Sequence, residues 1–188
     1  MENANTDLGY VVYDKHVAFW GSPFSNFYPC EIIVNEPWKN ILNTIGGVSK
    51  IEEDFKWKSS EQLFMANKAW FFADMKTFGE IVLSTTPEQA KKLGRKVKGF
   101  DDKIWDKVKY QLMYAGVYAK FSQNEDLKNF LLSPDFEGKD FVEGSPFDGV
   151  WGVKMDWRNP DIDNPENWNG QNLLGKVLNE VREKLKED

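Results

Sequence analysis

The stretch Glu143-Gly-Ser-Pro-Phe-Asp148-Gly-Val-Trp151-Gly152 sets two carboxylates among glycine, proline and aromatic rings. Gly144, Pro146 and Gly149 fix turns, so these acids stand on a rigid loop and not on a solvated helix face. An acid beside an indole loses part of its hydration. Its pKa rises, and it can then hold or deliver a proton near neutrality. Such groups suit cleavage at the anomeric carbon of a sugar, where carboxyls work in pairs and flat leaving groups stack on rings. The bland alternative is a turn in which Asp148 and Glu143 only accept backbone NH groups.

A second pair of reactive types is Glu61 and Lys68, seven positions apart in a segment of helical period. They share the stripe of Phe64, Met65, Phe71 and Phe72, about 10 Å apart along the axis. An acid and an amine on an inward face are costly unless they pair or line a cavity. Otherwise Glu61 complements the helix dipole and Lys68 snorkels to water. In a site, Lys68 would hold an anion or, if desolvated, act as a nucleophilic amine. In Phe24-Ser25-Asn26-Phe27, two small polar groups lie between rings, fitted either to sugar hydroxyls and a base or to a side-chain-capped turn. Arg95 offers a planar fork for phosphate. Trp105 is either core or the wall of a base pocket. Gly170 leaves room at a helix N-terminus, with Asn172 beside it.

The elements that must position these residues follow from period and punctuation. Gly9–Tyr13 and His16–Trp20 read as strands around an Asp14-Lys15 turn, with further short strands at Glu31–Asn35 and Phe55–Lys58. Glu36–Asp54 has no clear period and reads as an excursion. Helices are expected over about Ser60–Ala73, Lys76–Leu83 and from Thr86 to Leu93 or Arg95. Ser59 with Gln62, and Thr86 with Gln89, form capping boxes, and Pro87 takes the first helical position. A long helix is expected over Lys103–Lys120, with Ile104, Val108, Leu112 and Ala115 on one face, then another over Asn124–Leu132. Asp140–Glu143 reads as a strand, Arg158–Asn167 as a surface loop and Gly170–Lys186 as the closing helix. The expected fold class is α+β, predominantly helical: one compact domain over 1–188, with short strands near the N-terminus.

Composition narrows the functions open to the chain. A net charge of −6 argues against nonspecific coating of nucleic acid, which needs clustered Lys and Arg. The dense basic cluster is Lys91, Lys92, Arg95, Lys96 and Lys98. One cysteine, Cys30, precludes an intrachain disulfide and fits a reducing, cytoplasmic compartment. No run reaches the length of a membrane span, and the first residues lack the blocks of a signal peptide. With one His and one Cys, zinc has few ligands, so no metal and no cofactor are expected.

Taken in order, several segments form one pattern. They are Phe24-Ser25-Asn26-Phe27, Ser60-Glu61-Gln62 with Ala66-Asn67-Lys68-Ala69, and Ala90-Lys91-Lys92-Leu93-Gly94-Arg95. Trp105-Asp106, Lys120-Phe121-Ser122-Gln123-Asn124, Val142-Glu143, Asp148 with Trp151-Gly152, and Asn172-Leu173-Leu174-Gly175 complete it. This order resembles the NADAR (NAD- and ADP-ribose-associated) family of YbiA-like N-glycosidases, over about Val17 to Leu185. The resemblance implies a metal-independent hydrolase of N-glycosidic bonds. Its substrates would be ADP-ribose on guanine, including modified DNA, or phosphoribosylated intermediates of riboflavin synthesis. The competing function is an ADP-ribose or NAD-binding module without turnover. By analogy Glu61, Trp105, Glu143, Asp148 and Trp151 line the site, with Lys68 an important polar residue there. Glu61, Lys68, Glu143 and Asp148 are the catalytic candidates. Ser25, Asn26, Phe27, Arg95, Trp105, Trp151, Gly152 and Asn172 are the substrate-binding ones. Two departures from the family pattern are the length of Glu36–Asp54 and the polar run after Val153-Lys154-Met155-Asp156-Trp157; both bear on substrate identity.

Overall fold

The computed structural model describes residues 3–34 and 55–188. Three strands, β1 (Asn3–Asn5), β2 (Tyr10–Val12) and β3 (His16–Phe19), form an antiparallel meander. Asp14-Lys15 makes the expected turn between β2 and β3, closed by Tyr13 N donating to His16 O at 2.8 Å. A two-stranded ribbon pairs β4 (Ile32–Ile33) with β5 (Lys56–Trp57). β6 (Asp140–Glu143) joins β3 in parallel and places Glu143 opposite Phe19. β3 is buried along its whole length, as a strand covered on both faces must be. β1 was not expected from the sequence, and Glu36–Asp54 and Asn35 lie outside the described residues.

Seven α-helices lie among the described residues: α1 (Ser60–Phe71), α2 (Met75–Val82), α3 (Pro87–Gly94), α4 (Asp102–Trp105), α5 (Lys109–Gln123), α6 (Glu125–Leu131) and α7 (Leu173–Glu187). The fold is α+β and predominantly helical. One apolar cluster joins Val17, Phe19 and Phe141 of the sheet to Met113, Val117 and Phe121 of α5 and to Leu174, Leu178 and Val181 of α7. A second is built on α1, α2 and α3 with Ile32 and Trp57. None of these helices is long and apolar enough to cross a membrane.

The caps are local and follow the sequence. Ser59 accepts from Gln62 N and Thr86 from Gln89 N, and Pro87 opens α3. The return bonds reach one residue further back than a capping box requires. Gln62 Oε1 takes Lys58 N and Gln89 Oε1 takes Thr85 N.

Two expectations need correction. The long helix over Lys103–Lys120 is two helices, because Lys107 N and Val108 N bond three residues back and turn the chain after Trp105. The buried face of α5 is therefore Met113, Val117 and Phe121, while Ile104 is 47% exposed. The closing helix starts at Leu173 instead of Gly170, since Asn172 takes a left-handed conformation (φ 52°). Arg158–Asn167 is the expected surface segment, mostly exposed, and contains two 3-10 turns. It buries Ile162 completely and is tied to the hairpin by Asp163, which accepts from Lys15 N and His16 N.

Candidate active site

Glu61 lies in the first turn of α1 and is buried. The loop before it fixes its place: Asn26 O accepts from Glu61 N at 3.0 Å, and Asn26 Oδ1 accepts from Ser60 Oγ at 3.0 Å. That loop is stapled from below by Lys120 of α5, which is fully buried and donates to Pro23 O at 2.6 Å and Ser25 O at 2.8 Å. Burial pulls the Lys120 pKa down to about 8.

Glu143 ends β6, and Asp148 follows in the turn-rich loop. One Asp148 oxygen accepts from Val150 N and Trp151 N, both at 2.9 Å, while its own NH donates to Ser145 Oγ. Asp148 thus performs the capping expected of the bland reading and is held rigidly by it. Gly152 closes the same loop: a Cβ there would stand 2.8 Å from Glu143 O. Glu143 Oε2 is buried with no hydrogen-bond partner among the described residues.

The three carboxyls feel one another. Burial raises the Glu61 pKa to about 7; Lys91 opposes the rise, Asp148 adds to it and Arg95 opposes it. Burial raises Glu143 to about 8; Asp148 and Glu61 add to the shift and Lys91 opposes it. Near neutrality the pair Glu61 and Glu143 therefore holds protons.

Phe64, one turn beyond Glu61 on α1, belongs to a group of aromatic rings. The Phe64 ring lies 5.3 Å from both Trp105 and Trp151, and Trp105 also meets Phe71 and Phe72. Trp105 is buried and Trp151 half-buried. Lys68, two turns beyond Glu61, rests its ammonium 3.7 Å from the centre of the Phe100 ring. Burial lowers its pKa and Asp102 raises it back in part. Helix α3 docks on α1 through Gly94, where a Cβ would stand 2.1 Å from Met65 Sδ. That close approach carries Lys91 and Arg95 toward Glu61, and Lys91 stands 5.1 Å from the centre of the Phe27 ring.

The remaining sequence candidates support this framework. Ser25 Oγ accepts from Phe27 N, and Asn26 Nδ2 donates to Met113 Sδ. Asn172 is buried, and its amide is consumed by β6: Oδ1 accepts from Glu143 N and Nδ2 donates to Phe141 O. It orients Glu143 through the backbone. Lys91 was read from the sequence only as part of a basic cluster, although its spacing of four from Arg95 puts both on one face of α3. Nothing local marks Lys120, because its acceptors lie more than ninety residues away in the chain. Among the described residues, no group of three or more His, Cys, Asp or Glu side chains is arranged to hold a metal ion.

The chain is similar to known proteins over most of its length. The chain is 39% identical over 179 residues to N-glycosidase R617 of Acanthamoeba polyphaga mimivirus, covering 90% of this chain and 96% of the relative. It is 38% identical over 164 residues to Protein irg-1 of Caenorhabditis elegans, covering 86% and 74%. The NMR structure of the Escherichia coli protein YbiA superposes with a TM-score of 0.65 at 29% identity, covering 96% of this chain and 90% of that one. The NADAR domain model matches residues 15–186. With the whole fold, the order of the segments and these relatives in agreement, the chain belongs to the NADAR domain family.

Proposed function

We propose that the protein is an N-glycosidase acting on a ribose that carries phosphate, with a planar nitrogenous leaving group. The observation that carries this reading is the pair of buried carboxyls, Glu61 and Glu143, protonated near neutrality beside an Asp148 frozen by its own loop. The names of the relatives, N-glycosidase R617 and the N-glycosidases YbiA, support it.

In the proposed reaction Glu143 delivers its proton to the leaving nitrogen, through the oxygen that has no partner among the described residues. The bonding pair of the C1–N bond leaves with that nitrogen. Asp148 stabilises positive charge at C1, and water adds there and returns a proton to Glu143. Trp105 and Trp151 stack the leaving base, and Arg95 with Lys91 takes the phosphate. Lys68 supplies a second route. Once a base has taken its ammonium proton, its amine displaces the leaving amine at C1 of the ring-opened sugar to form an imine that water hydrolyses.

The substrate classes are ADP-ribose attached to guanine and phosphoribosylated pyrimidine intermediates of riboflavin synthesis. One experiment tests the reading: both are incubated with wild type, Glu143→Gln and Asp148→Asn, and released sugar phosphate is followed, with borohydride added in a parallel arm. Sugar release by wild type that falls about 10²- to 10⁴-fold in Glu143→Gln supports it. A borohydride-fixed adduct on Lys68 assigns the imine route, and an unmodified Lys68 under turnover assigns the direct one. Tight binding of ADP-ribose with no release from either substrate makes the protein a binding module instead.

A further inference from the structure

Trp20 and Phe147 are two exposed rings in contact: Trp20 is 41% exposed and Phe147 86%, with centroids 6.3 Å apart and planes at 83°. Large rings contribute most to stability when buried, so a ring pair held in water is a feature that folding does not require. Both rings grow from the backbone of the candidate active site. Trp20 directly follows β3, where Phe19 pairs with Glu143 and Phe19 O accepts from Gly144 N at 2.9 Å. Trp20 N donates to Gly9 O at 2.9 Å, and a Cβ at Gly9 would stand 2.4 Å from Trp20 O, so the backbone there is clamped from the other side. Phe147 directly precedes Asp148, whose NH and carboxyl are bonded to Ser145, Val150 and Trp151. A ring pair on a backbone this firmly held can take a flat group at small entropic cost.

We propose that Trp20 and Phe147 form a stacking platform for the base next to the one being released, so that the leaving group arrives as a base within a single nucleic-acid strand. The proposal rests on the N-glycosidase reading and deepens it by naming the form of the leaving group. Two rings present far less than the roughly 1,000 Å² that a stable protein interface needs, but they match the face of one base. The platform extends from the loop that begins at Glu143, the donor to the leaving nitrogen, whereas the phosphate-binding groups Lys91 and Arg95 come from α3 and its C-cap. It therefore serves the leaving-group side of the substrate. Stacking uses the π face of a base and needs no basic surface. One neighbouring base is thus held without the clustered Lys and Arg that coating a strand requires, and a net charge of −6 does not oppose it.

The test is equilibrium binding of a short single strand carrying ADP-ribose on one guanine, compared with the same strand made abasic on either side of it. Binding is measured in Glu143→Gln, which leaves the substrate uncut. The neighbouring bases should tighten binding about 5- to 100-fold. Adding Phe147→Ala or Trp20→Ala should remove most of that gain and leave the abasic strand unchanged. Phe147→Tyr should keep the gain and Phe147→Leu should lose it, because a ring face and not apolarity holds a base. Neighbouring bases without effect, or equal losses on the two strands, overturn the proposal. So does self-association of wild type in sedimentation that Phe147→Ala abolishes, which assigns the patch to a second copy of the chain. Sugar release by wild type is scored separately: stacking without release sinks only the glycosidase reading, and release indifferent to the neighbouring bases sinks only the platform.

Discussion

Glu143 and Glu61 keep their protons near neutrality because their surroundings have removed water from them, with Asp148 adding repulsion. Their folded pKa values, about 8 and about 7, lie above the ordinary 4.5. Between those limits the folded chain binds more protons than the unfolded one. The pair's contribution to stability is therefore fullest below about pH 4.5 and is lost as pH rises through 7 to 8. Glu143→Gln removes a group that must ionise in a dry place. It should melt several degrees higher than wild type above pH 8 and close to it near pH 4.5, while losing turnover. Thermal melts across that range check it; a Glu143→Gln protein no more stable in alkali than wild type would mean the carboxyl is hydrated. The acid loop itself was legible in sequence, since Gly144, Pro146, Gly149 and their neighbours are contiguous. The partner that opposes its titration, Lys91, was not, because it belongs to another helix.

At the level of elements, the site depends on how three pieces brace one another. α1 carries Glu61 and Lys68, the 22–28 loop fixes the start of α1, and α5 reaches under that loop with Lys120. Lys120→Met would take the donor from the Pro23 carbonyl and leave Ser25 O with Tyr28 N alone, at a cost of about 1–3 kcal/mol. Urea denaturation should show that loss. Lys120→Arg, too large for the pocket, should not rescue it fully. A Lys120→Met protein as stable as wild type would show that the loop needs no staple. Helix identity and caps were readable here from Ser59, Thr86 and Pro87, because a cap acts over three residues. The break at Asp106–Val108 was not. Asp106–Val108 holds no Gly or Pro to signal a break, and the turn accompanies the seating of Trp105 against Phe64 and Phe72.

At the scale of the whole molecule, charge limits the form of the substrate. The protein carries −6 overall, and Lys91, Lys92, Arg95, Lys96 and Lys98 form its dense basic run on α3 and the turn after it. With two to four of these meeting backbone phosphates, kcat/KM on an ADP-ribosylated single-stranded oligonucleotide should fall with log salt at a slope of about −1.5 to −3. The corresponding mononucleotide conjugate should show a shallower slope. Equal slopes for the two would exclude nucleic-acid backbone contacts. The sequence by itself determined the chemistry available, the fold class and the family pattern, because residue type, helical period and capping act over a few positions. Tertiary structure alone decided that Glu61 and Glu143 are buried within reach of the charges of Asp148 and Lys91, and that β6 runs parallel to β3 across more than 120 residues of chain. The reason is physical: dehydration and electrostatic coupling belong to whatever surrounds a group in space, and a chain read in order does not contain its surroundings.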